Sequence, residues 1–382
     1  MEESIIKKIG ISTVHTGFNY GSALQAYASK VILQELGYQG INISLKGSLI
    51  KGRDVRIKKI AVIAIRLLRQ PHNIKKRVSI YSDNLSKSYS EQTKVLFNNF
   101  RLNKINPYSC TWNQLKRIAK SDDFKAFLCG SDQVWNSEAL YVDPQYYLRF
   151  APKVKRIAFS PSFGRDKVAD YNKSIIKKYI MDIPNLSVRE ESGVSIIKEL
   201  TNKDAAHLID PTLMLDGTKW DQYLELQEDI SDTENYILAY FLNEPSDYAK
   251  ECIKKLAQEK KVKVIALPYQ REVRDWFDFA PDAGPVEFVK YVKNASYVCT
   301  DSFHGTAFAV NYKVPFYTFD RQYGSAGKQS SRVVSLLKLV SLENHFNPSI
   351  ELLDAPIDFS KSKAVLEIER NKAVEYLINA LQ

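Results

Sequence analysis

Residues Tyr297 to Asp320 read YVCTDSFHGTAFAVNYKVPFYTFD, a run with the signature of a strand, a tight turn and a helix in succession. Tyr297, Val298, Cys299 and Thr300 are β-branched, aromatic or small, which suits a short buried strand. Asp301 and Ser302 are turn and N-cap types. Gly305 removes side-chain bulk where a helix is expected to begin, with Thr306, Ala307, Phe308, Ala309 and Val310 continuing it. Pro315 then ends the helix, and Phe316, Tyr317, Thr318 and Phe319 form the next strand. In an open parallel α/β sheet, ligands sit at the loops that leave the carboxyl ends of strands, so His304 is expected to face a cleft. The adjoining helix N-terminus offers unpaired N–H groups and a partial positive charge, which favours an anion. An isolated histidine is more often a helix cap or the partner of a core carbonyl. The strand, turn and glycine around His304 favour the functional reading.

The same alternation extends back to the N-terminus. Ile9 to Val14 reads as a strand, His15 to Ser22 as a loop and Ala23 to Leu36 as a helix closed by Gly37, with Ile41, Ile43 and Leu45 starting a second strand. The loop has neither the GxGxxG nor the Walker pattern, so nucleotide binding does not follow from it. Ala126 to Gly130 is a buried strand leading into Ser131, Asp132, Gln133, Val134, Trp135 and Asn136. That loop suits a cleft, with Asp132 as acceptor or base and Trp135 as a stacking surface for a sugar ring. The alternative is a loop held by its own side chains, with Trp135 in the core. Arg156 to Phe159 leads to SPSFG (Ser160–Gly164), and Leu186 to Val188 leads to Arg189, Glu190 and Glu191. Arg189 thus falls where a strand gives way to a helix. Its planar fork matches a carboxylate or phosphate, or else an internal acid such as Glu190. Tyr236 to Leu242, Tyr248 to Glu259, Val262 to Leu267 and Pro285 to Asn294 repeat the strand and helix alternation.

These segments predict an N-terminal Rossmann-like domain over residues 1–215, interrupted near 46–114 by a basic amphipathic insert, and a second Rossmann-like domain over 216–360. An amphipathic helix over 361–382 is expected to cross back to the first domain, with Val365, Leu366, Ile368, Ala373, Val374, Leu377 and Ile378 on or near one face. Within the insert, IAVIAIRLL is surrounded by Lys51, Arg53, Arg56, Lys58, Lys59, Arg66, Arg69, Lys75, Lys76 and Arg77. A helix of this kind either lies on an anionic membrane surface or packs on its own domain. Residues Ser82 to Gln114 read as a polar, helical and mobile connection.

The 382 residues are enough for two domains, and a hydrophobic fraction of 45% is that of a globular protein. The net charge of +10 favours anionic partners. No helix-turn-helix or zinc pattern accompanies the charge, so nucleic acid is not an expected partner. Cys110, Cys129, Cys252 and Cys299 are scattered without a CxxC pair, so reduced buried thiols, a cytosolic setting and no metal are expected. MEESIIKKIGIST lacks the pattern of a signal peptide, and no apolar run is long enough to cross a bilayer.

Taken together, NYGSALQAYA (Asn19–Ala28), FLCGSDQVWN (Phe127–Asn136), SPSFG (Ser160–Gly164), SVREESG (Ser187–Gly193), DPTLML (Asp210–Leu215) and TDSFHGTAFA (Thr300–Ala309) resemble the polysaccharide pyruvyltransferase family, in its order and over most of the chain. The resemblance implies an α/β fold of two Rossmann-like domains in a GT-B-like arrangement with a central cleft. It implies phosphoenolpyruvate as donor, no cofactor, and a sugar acceptor, often lipid-linked, that becomes a pyruvate ketal on the cytosolic face of a membrane. Arg189 and His304 match the family's catalytic arginine and histidine. Asn19, Tyr20, Ser22, Gly130, Ser131, Asp132, Trp135, Ser162 and Ser302 fall in the matching stretches as substrate contacts. Some family members carry an arginine where Ser302 stands and an acid where Ser22 stands. Arg321 or Lys328, with Arg332 as a further candidate, is then expected to supply the missing charge. A GT-B glycosyltransferase using a nucleotide sugar and a non-catalytic glycan- or lipid-binding protein are the competing expectations.

Overall fold

A computed structural model describes residues 6–47, 56–69, 89–226, 235–267, 275–321, 331–353 and 356–382. Lys328, Lys51, Arg53, Lys75, Lys76 and Arg77 lie outside the described residues. The chain runs β1 (Lys8–Ser12), α1 (Tyr20–Glu35), β2 (Gln39–Leu45), α2 (Ile57–Arg69), α3 (Glu91–Phe100), β3 (Tyr108–Cys110), α4 (Trp112–Ile118) and β4 (Phe124–Cys129). It continues through β5 (Arg156–Ala158), α5 (Asp170–Met181), β6 (Ser187–Val188), α6 (Glu191–Thr201) and β7 (Ala206–His207). The strands pair in parallel in the order β3-β2-β1-β4-β5, so the order reverses at β1 and the crevice between β1 and β4 is the switch point. The Ala158 N–H donates to the Asn185 carbonyl at 2.9 Å and carries the ladder on toward β6 and β7.

Two short helices, α7 (Pro211–Met214) and α8 (Gly217–Leu224), lead to the second sheet. There β8 (Tyr236–Tyr240), α9 (Asp247–Lys260), β9 (Lys263–Leu267), α10 (Pro285–Lys293), β10 (Tyr297–Thr300), α11 (Phe303–Tyr312) and β11 (Phe316–Thr318) build a parallel sheet of order β11-β10-β8-β9. The strands β8 and β10 are buried on both faces, which accounts for their unbroken apolar sequence. Helix α12 (Ser331–Leu339) follows, and α13 (Ser360–Leu381) crosses back to the first unit, where its Tyr376 hydroxyl donates to the Ala158 carbonyl at 2.8 Å. Leu366, Ala373, Leu377 and Leu381 of α13 are buried, whereas Ile368 and Ile378 stay exposed, contrary to their expected place on the packed face. Segments that follow strands of the first sheet meet the start of α11, which follows β10 of the second, in a GT-B-like arrangement of two Rossmann-like units.

Three expectations change. The helix of the His304 segment begins at Phe303, not Thr306, because the Ser302 hydroxyl accepts the Gly305 N–H at 3.3 Å and nucleates the first turn earlier. His304 is therefore a first-turn helical residue. Residues 91–110 are also more than a connection. Phe97, Phe100 and Ile105 enter the main core and β3 is an edge strand of the first sheet. Their apolar positions are too sparse to reveal this by periodicity.

Tyr20, expected as a substrate contact, is instead a keystone between the units. Helix α1 is apolar or small on nearly every side, so it is buried all round. Its Tyr20 ring stacks on Phe288 at 4.8 Å and on Phe97 at 5.0 Å, and its hydroxyl donates to the Ala283 carbonyl at 3.2 Å. Burial raises the Tyr20 phenol well above its ordinary value, so it stays a neutral donor. Tyr20→Ala is expected to lower unfolding stability by about 3–5 kcal/mol. Tyr20→Phe, which loses only the hydroxyl contact, is expected to cost about 1 kcal/mol, both read from urea unfolding midpoints.

Candidate active site

The site forms where three loops of the first unit meet the start of α11 in the second. After β4 the chain turns at Gly130, whose φ of +106° and 2.2 Å approach of an added Cβ to the Phe159 carbonyl oxygen exclude any side chain. Gly130 thus acts by shape and does not touch a ligand with a side chain. The turn delivers Ser131 and Asp132. After β6 comes Arg189, and after β7 comes Asp210, which caps α7 by accepting the Thr212 N–H at 2.9 Å. From the other unit, Ser302 starts α11 and sets His304 against α1. A Cβ on Gly21 would fall 2.0 Å from His304 Nδ1, so only glycine at position 21 lets the imidazole in.

These groups converge on Asp210, which is 0% exposed. Its Oδ2 accepts Arg189 Nη1 at 2.6 Å and the Ser131 hydroxyl at 2.6 Å, and its Oδ1 accepts the Thr212 hydroxyl at 2.8 Å. His304 Nε2 stands 3.7 Å from the same Oδ2, the distance of an ion pair and too long for a hydrogen bond. Burial pushes the Asp210 carboxyl up, but the close approach and charge of His304, the charge of Arg189 and the hydrogen bond from Ser131 outweigh it and hold the carboxyl far below its ordinary value. Asp132 behaves alike: burial raises it, while His304, Arg189, the Ser22 hydroxyl at 2.5 Å and Arg332 lower it more. The Arg189 guanidinium lies 4.4 Å over the Phe303 ring, and its Nε is 4.0 Å from Glu190 Oε1, which also accepts the Ser162 hydroxyl. Burial alone would lower the Arg189 guanidinium, but Asp210, Glu190 and Asp132 raise it above its ordinary value and keep it charged.

Four buried atoms in this cluster lack a hydrogen-bond partner among the described residues: Arg189 Nε and Nη2, Glu190 Oε2 and His304 Nε2. Buried polar atoms are nearly always satisfied, so such a group of donors with one acceptor marks a place for a polar ligand. His15, in the loop after β1, adds a fifth such atom, Nε2, while its Nδ1 lies 3.1 Å from the Thr13 carbonyl. Burial lowers the His15 imidazole, against a raising hydrogen bond, and Arg101 lowers it further.

The remaining expected contacts divide plainly. Asn19 caps α1 by accepting the Ser22 N–H at 2.9 Å, and Ser22 holds Asp132. Ser131, Ser162 and Ser302 are buried behind the cluster and position Asp210, Glu190 and α11, so their expected ligand contact is corrected to support. Trp135 is not a stacking surface. It is 0% exposed, its Nε1 donates to the Tyr146 carbonyl and its ring stacks on Tyr147 at 5.3 Å. Arg321 does not replace the arginine absent at Ser302. Its Nε donates to Asp301 Oδ2 at 3.1 Å and its Nη2 to the Asp301 carbonyl at 2.9 Å, which ties it to the loop before α11. Arg332 is the cation whose charge reaches Asp132, and it is buried. The structure adds Asp210 and Glu190 to the site. Asp210 sits between a strand and a proline, as a helix-capping acid does, and that is the signal in DPTLML.

Cavities of about 410 and 540 Å³ open elsewhere, along α13, and include Asp216, Lys363 and Arg370 in their walls. Arg370 already donates to the Leu213 carbonyl and Asn311 Oδ1, and no wall residue of either cavity is among the described residues with an unpartnered buried side-chain atom, unlike the His304 cluster.

The model of the polysaccharide pyruvyl transferase family matches residues 19–323. A search of curated proteins finds no matching sequence. Among solved structures, the UDP-N-acetylglucosamine 2-epimerase of Rickettsia bellii is similar at 12% identity and a TM-score of 0.49, over 99% of this chain and 97% of that one. The UDP-GlcNAc 2-epimerase of Methanocaldococcus jannaschii, in complex with UDP-GlcNAc and UDP, is similar at 13% identity and a TM-score of 0.49, over 97% and 98%. The glycosyltransferase SnogD of Streptomyces nogalater gives 8% identity and a TM-score of 0.41, over 99% of each chain.

Because folding lowers the Asp210 carboxyl below its ordinary 3.8, its contribution to stability is complete above that pH and is lost as the pH falls below it. Asp210→Asn is expected to destabilise the fold by about 3–5 kcal/mol at neutral pH, since it strands the Arg189 charge. It should also flatten the acid limb of stability below pH 3.8, measured by thermal unfolding across pH. Gly21→Ala, which collides with His304, is expected to cost about 1–3 kcal/mol in the same assay.

Proposed function

The chain belongs to the polysaccharide pyruvyl transferase family, and from that premise and the site geometry we propose that it transfers the pyruvyl group of phosphoenolpyruvate to a hexose of a cell-surface polysaccharide or its lipid-linked precursor, forming a pyruvate ketal. The observation that carries this reading is the meeting of Arg189 and His304 on one buried carboxylate, Asp210, with donor atoms of both still unpartnered. Phosphoenolpyruvate is a small, doubly functional anion. The Nε and Nη2 edge of Arg189 matches a carboxylate or phosphate in a bidentate contact, while Nη1 stays locked on Asp210. Arg332 adds buried positive charge on the side of Asp132.

In the proposed reaction His304 acts as the acid. Its proton goes to the methylene carbon of the donor, and the second carbon becomes oxocarbenium-like. A sugar hydroxyl attacks that carbon and gives its proton to a neighbouring base, for which Glu190 with its unpartnered Oε2 is placed. Phosphate leaves, the second hydroxyl closes the ketal, and its proton departs with the phosphate. Asp210, 3.7 Å from the imidazole, balances its charge when it is protonated.

The test is incubation with phosphoenolpyruvate and a panel of lipid-linked oligosaccharides, with mass detection of a pyruvylated product and assay of free phosphate. His304→Ala is expected to lower turnover by about two to four powers of ten while the unfolding midpoint stays near that of the parent. Protection against heat by uridine or guanosine nucleotides, without protection by phosphoenolpyruvate, would replace this reading with that of a nucleotide-sugar glycosyltransferase. Unchanged function of His304→Ala would replace it with that of a binding protein.

A further inference from the structure

Helix α2 is amphipathic, and it is docked the wrong way round for a helix that belongs to a core. Its inward face carries Arg56 at the helix start, Lys59 and Arg66 beside half-buried Val62, Ile63 and Leu67. The Arg56 guanidinium donates to Asp143 at 2.5 Å and lies 5.8 Å from the Trp112 ring, and Lys59 lies 6.0 Å over Tyr141. Arg66 donates to Asn172 Oδ1 at 2.6 Å and lies 5.3 Å over the Tyr171 ring. The opposite face is apolar and turned to solvent: Ile57 is 67%, Ile60 50%, Ile65 49% and Leu68 82% exposed, with Ala61 and Ala64 exposed between them. These positions follow the i, i+3, i+4 spacing of one continuous stripe. A surface helix of a soluble domain ordinarily does the reverse, and a rimmed apolar stripe of this kind marks a contact surface.

We propose that the outward face of α2 docks on the surface of an anionic lipid bilayer. Charge chooses the occupant. Between residues 51 and 77 the sequence carries ten lysines and arginines against one acid, Asp54; Arg56, Lys59 and Arg66 are turned inward, while Lys58 is exposed beside the apolar stripe. Two copies of so cationic a surface repel each other, whereas an anionic bilayer offers an apolar layer for the stripe and negative headgroups for the flanking cations. The helix lies on the interface and does not span it, since among the described residues no helix is long and apolar enough to cross a membrane. Its seat has a functional sense. Asp143, Tyr141 and the Ala139 carbonyl, which hold α2, belong to the same loop after β4 that begins with Ser131 and Asp132 of the active site. A docked α2 therefore brings the edge of the site toward the bilayer, where a lipid-anchored sugar is found.

The experiment is co-sedimentation of the full chain with vesicles of phosphatidylcholine alone and with about a third phosphatidylglycerol. Binding is expected to the anionic vesicles, about tenfold or more above the neutral ones, and to weaken with salt. Ile60→Ser combined with Ile65→Ser and Leu68→Ser leaves every charge in place and removes only exposed apolar groups. It is expected to abolish binding with an unchanged unfolding midpoint, and Lys58→Glu to weaken binding about tenfold. His304→Ala is expected to bind vesicles as the parent does, so failure here leaves the pyruvyl transfer reading untouched. Absence of vesicle binding overturns the proposal, as does binding that survives the triple serine variant. A parent chain that is dimeric by analytical ultracentrifugation and made monomeric by that variant also overturns it, because the stripe would then belong to a second copy.

Discussion

A carboxylate sealed from water between two folding units sets the conditions for everything around it. Asp210 is too deeply buried to be ionised on its own, because removing a carboxylate from water costs several kcal/mol or more. It is ionised here because Arg189, Ser131, Thr212 and the nearby His304 replace its hydration from four directions. The arrangement is reciprocal. Arg189 is charged in the interior only because Asp210, Glu190 and Asp132 surround it. Asp210 and Arg189 each stay ionised in the interior because of the other, so the fold must close before the chemistry exists.

That closure explains the use of small and rigid residues around the cluster. Gly21 admits the imidazole, Gly130 turns the chain beneath it, and the Tyr20, Phe97 and Phe288 stack holds α1 and α10 at the spacing that lets His304 approach Asp210. One apolar cluster runs from β1 and α1 through α11 to α13, so the two units share a core in addition to a cleft. The unpartnered atoms of Arg189, Glu190 and His304 stand together at one place among the described residues, and a built site shows its function through such a concentration.

The division of labour between the arginines follows from geometry. Arg321 has the charge that the site requires but is held to Asp301 and its carbonyl. Arg332, further along the sequence, is buried, and its charge joins those of His304 and Arg189 in lowering the Asp132 carboxyl. In the first glycine loop Ser22 donates its hydroxyl to Asp132, so the negative charge on that side comes from the loop after β4.

What the sequence by itself determined is the alternation of buried strands and helices, the two-unit architecture, the six stretches that place the chain in its family, and the candidacy of Arg189 and His304. All of these are local or ordered along the chain, and periodicity, turn chemistry and motif order read them directly. Only the tertiary structure decided which side of a pattern faces what. It put Trp135 and Tyr20 in cores, although their motifs allowed a cleft, because an aromatic ring with one polar atom fits either place. It turned the apolar stripe of α2 outward, which no hydrophobic period can specify, and it made Asp210 the centre of the site. The physical reason is the same in each case: a residue's type sets what it can bond, but the partner comes from a distant part of the chain, and only folding brings that partner within reach.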